Sequence, residues 1–230
     1  EQNNINFAGQ LEAAGVKLIF GIPGLKVHSK ICVIERVGEK KNLRFGFIST
    51  GNFNESTAKV YTDYTLLTAD QKILKEVNKV FNFLEVSYKL KKYKHLIVSP
   101  HYSANILSKL IDKEISNNKK GLPSEIKLKI NNITNYPLVN KLYEASQAGV
   151  KVKMIVRGVC CLVPGVKGLS ENIKVISVVD KFLEHPRVYI FRNAGLRKIY
   201  LSSADWMTRN IENRVEVGCP IYDKDLQQEI

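Results

Sequence analysis

Two stretches of the chain match each other, and this match sets the architecture. Ser49-Thr50-Gly51-Asn52-Phe53 aligns with Ser202-Ser203-Ala204-Asp205-Trp206 at an offset of 153, and Asp70 aligns with Asp223 at that offset without a gap. A strand carrying His-x-basic precedes each turn: Lys26-Val27-His28-Ser29-Lys30 in the first copy, Leu183-Glu184-His185-Pro186-Arg187 in the second. Each copy reads as strand, hairpin, strand, polar turn and a return to a strand. Accident can supply one such match. It is a poor explanation of two His-x-basic strands, each followed by the same turn.

The remaining pattern alternates strands with helices. Asn3 to Gly15 reads as a helix, and Lys17 to Ile22 as a short strand before the Pro23-Gly24 turn. Gly38 to Asn42 reads as a hairpin loop, Leu43 to Ser49 and Tyr61 to Thr68 as strands. Gln71 to Leu90 is an amphipathic helix with Ile73, Val77, Val80, Phe81 and Leu84 on its apolar side. Lys89 to Lys94 is a linker candidate, which places a boundary near residue 90. Beyond it, helices are expected at Ser103–Ser116 and Pro137–Ala148. Strands are expected at 95–98, 125–130, 150–156, 174–179, 185–192, 198–202 and 214–222. This alternation predicts an α/β fold with a sheet in each half, residues 1–90 and 91–230.

A chain of 230 residues with 44% hydrophobic content can bury a core. No apolar run approaches the roughly 18 residues needed to span a bilayer, so the default location is cytoplasmic. The four cysteines, Cys32, Cys160, Cys161 and Cys219, have neither a disulfide framework's spacing nor that of a zinc site. They read as reduced core residues. A net charge of +13 and a pI near 9.5 point to a polyanionic partner without choosing among nucleic acid, anionic membrane, nucleotide and polyphosphate.

Strand alternation puts His28 and Lys30 on one face, opposite Val27, Ile31 and Val33. An imidazole beside an ammonium, facing a Gly-Asn turn, suits chemistry on phosphate: Lys30 to neutralise oxygens, Asn52 or Asn54 to orient them. A nearby cation also favours the neutral, nucleophilic imidazole. For His-x-Lys alone, a partly buried histidine on a sheet face is the commoner meaning; the repeat reverses those odds. Arg157 ends an apolar strand, where an unpaired charge is costly, so an anion partner is expected. Tyr61 by itself reads as packing, as does Trp206. His95 and His101 lie outside the repeat and carry no assigned role. Arg197, Lys198, Arg209 and Arg214 are candidates to line a polyanion channel.

Paired halves of this kind resemble the phospholipase-D-like superfamily, in which two His-x-Lys motifs meet across a pseudo-twofold axis. Here the Asp expected five residues after the Lys is Glu35 in one copy and Arg192 in the other, and Arg187 replaces the second Lys. Those departures fit the long-chain polyphosphate kinase family, which shares the architecture. The similarity covers Gly24 to Lys30, Ser49 to Ala58, Tyr61-Thr62-Asp63, Arg157 to Leu162, Phe182 to His185 and Ser202 to Met207. The resemblance implies two phospholipase-D-like α/β domains related by internal duplication, the first truncated at its N-terminus and the second at its C-terminus. It implies reversible transfer of the ATP γ-phosphoryl group to inorganic polyphosphate with Mg²⁺. His28 is then the phosphorylated nucleophile, His185 a nucleotide-site acid and Lys30 a catalytic cation. Tyr61 and Arg157 are then nucleotide contacts. From their own chemistry Lys30, Arg157 and Arg187 would hold phosphate oxygens, Asn52 or Asn54 would orient them, and Glu184 and bound phosphates would favour a protonated His185. Metal ligands are not identified.

The implied partners are polyphosphate and nucleotide but not nucleic acid, with a homo-oligomer for the full-length protein and a cytoplasmic place extending to the inner membrane face. A phosphodiesterase or nuclease of the same superfamily and a non-catalytic polyanion-binding module are the alternatives. The first half lacks a counterpart to the 150–157 strand, and Asp223 to Ile230 reads as the opening of a helix. The chain is therefore expected to be a fragment that binds polyanions better than it catalyses.

Overall fold

The structure, a computed structural model, describes residues 2–38, 42–88 and 91–230. In the first half the order is α1 (Gln2–Ala13), β1 (Lys26–Val27), β2 (Lys30–Arg36), β3 (Leu43–Ser49), α2 (Glu55–Ala58), β4 (Tyr61–Thr62), β5 (Thr65–Thr68) and α3 (Gln71–Glu85). In the second it is β6 (Ile97–Val98), α4 (Ser103–Lys119), β7 (Glu125–Ile130), α5 (Tyr136–Gln147), β8 (Lys151–Val156), β9 (Ile173–Ile176), β10 (Leu183–Glu184) and β11 (Arg187–Phe191). A 3₁₀ turn follows, then β12 (Lys198–Ser202), α6 (Thr208–Glu212), β13 (Arg214–Val215), β14 (Val217–Pro220) and α7 (Lys224–Glu229). The fold is α/β, as the alternation predicts. Residues 39–41 of the expected hairpin loop, and Lys89 and Leu90 of the expected linker, lie outside the described residues.

The halves build unequal sheets. The second carries seven strands in the order β6-β14-β12-β11-β7-β8-β9, and the first carries three, β2-β3-β5. Helices α4 and α5 cover one face of the large sheet, setting Leu107, Ile111, Leu138 and Leu142 against Ile126, Leu128, Val152 and Met154. Helix α3 begins at Asp70, whose side chain accepts the N–H groups of Lys72 and Ile73, a cap of the kind that stabilises by about 1 kcal/mol. Its buried stripe is Ile73, Val77, Val80 and Phe83; Phe81, expected in the core, is exposed. Phe81 lies four residues after Val77 and Phe83 three after Val80, so spacing alone admits both and the packing partners choose Phe83. The stripe packs with Ile48, Leu96, Val98, Val215 and Val217, so this core draws on both sides of residue 90.

Several expected strands come out shorter or broken. Lys17 to Ile22 forms no strand; its only pairing is the isolated bridge Ile22–Leu25. The Tyr61–Thr68 and 214–222 strands are each split in two, and the expected 185–192 strand begins only at Arg187, with the separate β10 before His185. The reason is an exchange between halves. Strand β1 pairs in parallel with β13, and β10 pairs in parallel with β4. The two ladders are the same contact seen from each copy: Lys26 N–H donates to Asn213 O, and Leu183 N–H donates to Val60 O, with Asn213 standing 153 residues after Val60.

Glu76 ties α3 to the entry of the second half. It is 4% exposed, and its carboxylate accepts the backbone N–H groups of Lys94, His95 and Leu96 at 2.6, 2.9 and 3.0 Å. Burial alone would raise its carboxyl, but these three bonds and Lys79 hold it below the ordinary range. Glu76→Ala leaves three amides without acceptors and should cost about 3 kcal/mol or more in urea unfolding. Glu76→Gln, which keeps one oxygen acceptor, should fall between it and the parent.

Candidate active site

Each half delivers its histidine from the end of a two-residue strand. Strand β1 stops at Val27, and β2 starts only at Lys30. The expectation of one unbroken strand through His28 is therefore corrected. The N–H groups of His28 and Ser29 both donate to Val215 O, each at 3.0 Å, so this backbone is bonded to the other half and not to a neighbour within its own sheet. His185 follows β10 in the same way.

A carboxylate from the opposite half holds each ring. His28 Nδ1 lies 2.9 and 3.0 Å from the two oxygens of Glu216, and His185 Nδ1 lies 2.7 Å from Asp63 Oδ1. Carboxylates accept, so each Nδ1 carries a proton, and the neutral form of either ring has its lone pair on Nε2. Thr50 Oγ1 donates to Asp63 and Ser203 Oγ to Glu216, while Asn210 Nδ2 adds a second donor to Glu216. Burial pushes the Asp63 carboxyl up, but the bonds from His185 and Thr50 outweigh it and hold the group below the usual range. A Cβ at Gly51 would sit 1.9 Å from the Asp63 carboxylate, so only glycine admits this arrangement. Sequence reasoning missed both carboxylates. Their signal was present, since Asp63 and Glu216 are themselves separated by 153 residues.

The basic residues two places on are not equivalent. Arg187 is 4% exposed, and its fork closes on Asp205, Nε to Oδ1 at 3.1 Å and Nη2 to Oδ2 at 3.3 Å. Burial raises the Asp205 carboxyl, yet Arg187 and donors from Asn131 and Asn132 bring it below the ordinary range. Nη1 of Arg187 donates to His185 O at 3.0 Å and lies 3.1 Å from His185 Nε2. A guanidinium has no acceptor, so that Nε2 must accept. In this arrangement the Arg187 fork is committed to Asp205 where a free phosphate clamp is expected, and His185 Nε2 faces a donor where a proton donor is expected. A buried guanidinium needs a partner, and Asp205 is that partner.

In the first half Lys30 stands where Arg187 stands in the second, and Asn52 where Asp205 stands. No carboxylate pairs with Lys30 among the described residues; its Nζ donates to His28 O. Burial, with Arg187 and Arg214 nearby, lowers its pKa to about 8 against the opposing pull of Glu216 and Asp63. No hydrogen bond reaches His28 Nε2 among the described residues, and the His28 side chain is 22% exposed. The first half thus offers an open nucleophile beside an unpaired cation.

The other expected residues gather around this junction. The Tyr61 ring lies 5.1 Å from the His185 ring, and Tyr61, Asp63, Asn52 and Asn54 line an open cleft of about 410 Å³. Asn54 is partly committed: its Oδ1 caps α2 by accepting Thr57 N–H. Arg157 donates to Glu184 O at 3.0 Å and forms no ion pair among the described residues. Glu184, expected to support a protonated His185, instead pairs with Lys129. Trp206 is wholly buried and packs edge-on against Tyr189, as its packing assignment requires. All four cysteines are free, but only Cys219 is buried, and Cys160 and Cys161 are exposed, contrary to the core expectation. No group of three or more His, Cys, Asp or Glu side chains among the described residues could hold a metal ion.

Family models for polyphosphate kinase C-terminal domain 1 and C-terminal domain 2 match residues 1–90 and 96–230. The polyphosphate kinase of Escherichia coli K12 is 51% identical over 230 residues, covering 100% of this chain and 33% of its own length. That of Klebsiella pneumoniae is 52% identical, covering 100% and 34%. Among solved structures, polyphosphate kinase from Porphyromonas gingivalis superposes with a TM-score of 0.91 at 38% identity, over 98% of this chain and 35% of that one. The chain spans about a third of the length of the curated relatives it matches.

The depressed pKa of Lys30 has a pH consequence with a definite sign. Between about 8 and the ordinary 10.5 the unfolded chain keeps a Lys30 proton that the folded chain has lost, so this residue's contribution to stability rises with pH across that window. Its ammonium disappears over the same range. Binding of inorganic phosphate at the His28 site, followed by the His28 imidazole resonances, should weaken as pH passes through about 8. Lys30→Arg should abolish that step, because a guanidinium stays charged.

Proposed function

The chain belongs to the polyphosphate kinase family, and from that premise we propose that it transfers the γ-phosphoryl group of ATP reversibly to the end of an inorganic polyphosphate chain. One observation carries the division of labour: His28 has an open Nε2 beside an unpaired ammonium, whereas its counterpart His185 has Nε2 taken by an arginine. The halves, 1–90 and 91–230, contribute one histidine each.

The His28 Nε2 lone pair attacks the γ-phosphorus in line. The N–P bond forms as the bond to the β,γ-bridging oxygen breaks, and ADP departs. A terminal oxygen of polyphosphate then attacks the same phosphorus, the N–P bond breaks, and Nε2 regains its lone pair. Glu216, accepting from Nδ1, fixes the ring and stabilises the positive charge that develops on it, the role a carboxylate plays behind other catalytic imidazoles. Lys30 neutralises oxygens of the transferring group, and such charge neutralisation is most of what phosphoryl transfer asks of a protein.

Tyr61, beside the His185 ring, and Arg157, bonded to the carbonyl of Glu184, suit a nucleotide and its phosphates, and Asn52 lines the same cleft as Tyr61. For His185 to protonate the leaving oxygen, a nucleotide phosphate must take over Nη1 of Arg187, and the freed Nε2 must then take up a proton from solvent that it can pass to that oxygen. Mg²⁺ is the family's expected companion of ATP, but the described residues offer it no ligand cluster, and none of these steps depends on it. A net charge of +13 supports a polyanionic substrate. We place the protein in the cytoplasm, its basic surface suited to the inner membrane face; among the described residues no helix is long and apolar enough to cross a membrane.

The test is incubation with γ-labelled ATP and Mg²⁺. Acid-labile, base-stable label should map to the peptide containing Val27 to Lys30 and vanish in His28→Asn. Label on His185 with none on His28 would reverse the assignment, and diester hydrolysis without nucleotide would favour a phosphodiesterase.

A further inference from the structure

A second cleft, of about 300 Å³, lies between α4, the start of β12 and the segment entering β6. Lys198 opens β12 and Ser202 closes it at the catalytic turn, so the cleft begins about 14 Å along the strand from that turn. Four ammonium groups line it, Lys94, Lys109, Lys113 and Lys198, and no carboxylate does. All four lysines are exposed, and none is ion-paired among the described residues. On the same half Lys127, Lys129, Lys141 and Lys153 each have a carboxylate partner. Others, Lys151 and Lys174 included, have none among the described residues, and what sets the cleft apart is that four unpaired lysines line it together.

The nearby carboxylates are withdrawn from the cleft. Glu76 lies buried, bonded to the amides of Lys94, His95 and Leu96. Glu114 is buried, accepts the N–H groups of Glu125 and Asn193, and has its carboxyl raised by that burial. Lys109 and Lys113 stand one turn apart on α4, where like charges repel. An anion between them would relieve that repulsion. Ammonium groups act as point charges with rotatable donors, and four of them in one small cleft suit a ligand charged at every unit. An acidic peptide carries its charges more sparsely.

We propose that this cleft is a second binding site for a linear inorganic phosphate chain, holding the polymer away from the end that reacts at His28. The proposal rests on the reading of polyphosphate as the polymer, although binding here does not require His28.

The experiment is an amide NMR titration of the chain with inorganic tripolyphosphate. Amides of Lys94 to Ile97 and Lys198 to Tyr200 should shift, and they should still shift in a His28→Ala, Arg157→Gln protein. In Lys109→Gln, Lys113→Gln those shifts should require at least about fivefold more ligand, and the salt dependence of log affinity should fall by about one to two. Unchanged spectra elsewhere would show that the variant is folded. Shifts confined to the surroundings of His28 and His185, or cleft shifts indifferent to the double substitution, would overturn the proposal. So would equal binding by polyglutamate, which would reassign the cleft to an acidic protein partner. Cleft binding in a protein that forms no phosphohistidine would uphold this site and sink only the kinase reading.

Discussion

The structure depends on a reciprocal exchange: each half gives its histidine to a carboxylate of the other. His28 reaches Glu216, and His185 reaches Asp63. Two parallel ladders two residues long, β1 with β13 and β4 with β10, bring those partners together. Ladders so short contribute little alone, so the junction is held by what lies beneath it. That support is the shared core in which α3 of the first half packs on Val215 and Val217 of the second. A site assembled in this way cannot form in one half alone. The halves must fold against each other before either imidazole has its tautomer fixed.

Duplication should yield two equal sites, yet the chemistry is lopsided, and one pair of positions explains it. Arg187 with Asp205 makes a buried, two-pronged ion pair; Lys30 with Asn52 makes none. Breaking a buried pair by neutralising one partner is costly, on the order of 3–5 kcal/mol, so Arg187 is held where it lies and occupies His185 Nε2. Lys30 bears the opposite cost. Its charge is partly desolvated without a carboxylate, and the consequence is the fall of its pKa to about 8. On the proposed function, an arriving phosphate would supply the missing countercharge. The second half has its anion built in as Asp205; the first half waits for one. The same contrast disfavours a symmetric phosphodiesterase, in which both His-x-basic pairs would meet substrate alike.

How much of this was legible in the sequence differs by residue. Leu43–Ser49, Glu125–Ile130 and Lys198–Ser202 have the bounds that their apolar pattern predicts, since each pairs within its own sheet. The histidine strands were misread as continuous because strand periodicity records which way a side chain points, not which backbone it bonds. Lys17 to Ile22 has the composition of a strand but no ladder to join. The Ala-Gly-Val-Lys of residues 14–17 recurs at 148–151 and there leads into β8 between β7 and β9, so the first half does hold a sequence counterpart of that strand, contrary to expectation, but one that forms no ladder. Strand formation there depends on a neighbour, which local sequence does not encode. Asp63 and Glu216 were in principle readable from the repeat; the burial of Arg187 was not, because Asp205 becomes its partner only after folding.

The lysine cleft extends the same electrostatic logic to the surface. Most of the excess positive charge on a soluble domain is solvated and diffuse, and it speaks only for solubility and non-specific attraction. Charge acquires direction where partners are withheld. Lys30 is such a place, with Asn52 where a carboxylate would silence it. The α4 cleft is another, with Glu76 and Glu114 turned inward to backbone amides. A linear polyanion long enough to span both would be held at one and react at the other, so the spacing of these two unneutralised sites, more than the total of +13, would decide which chain lengths the protein retains.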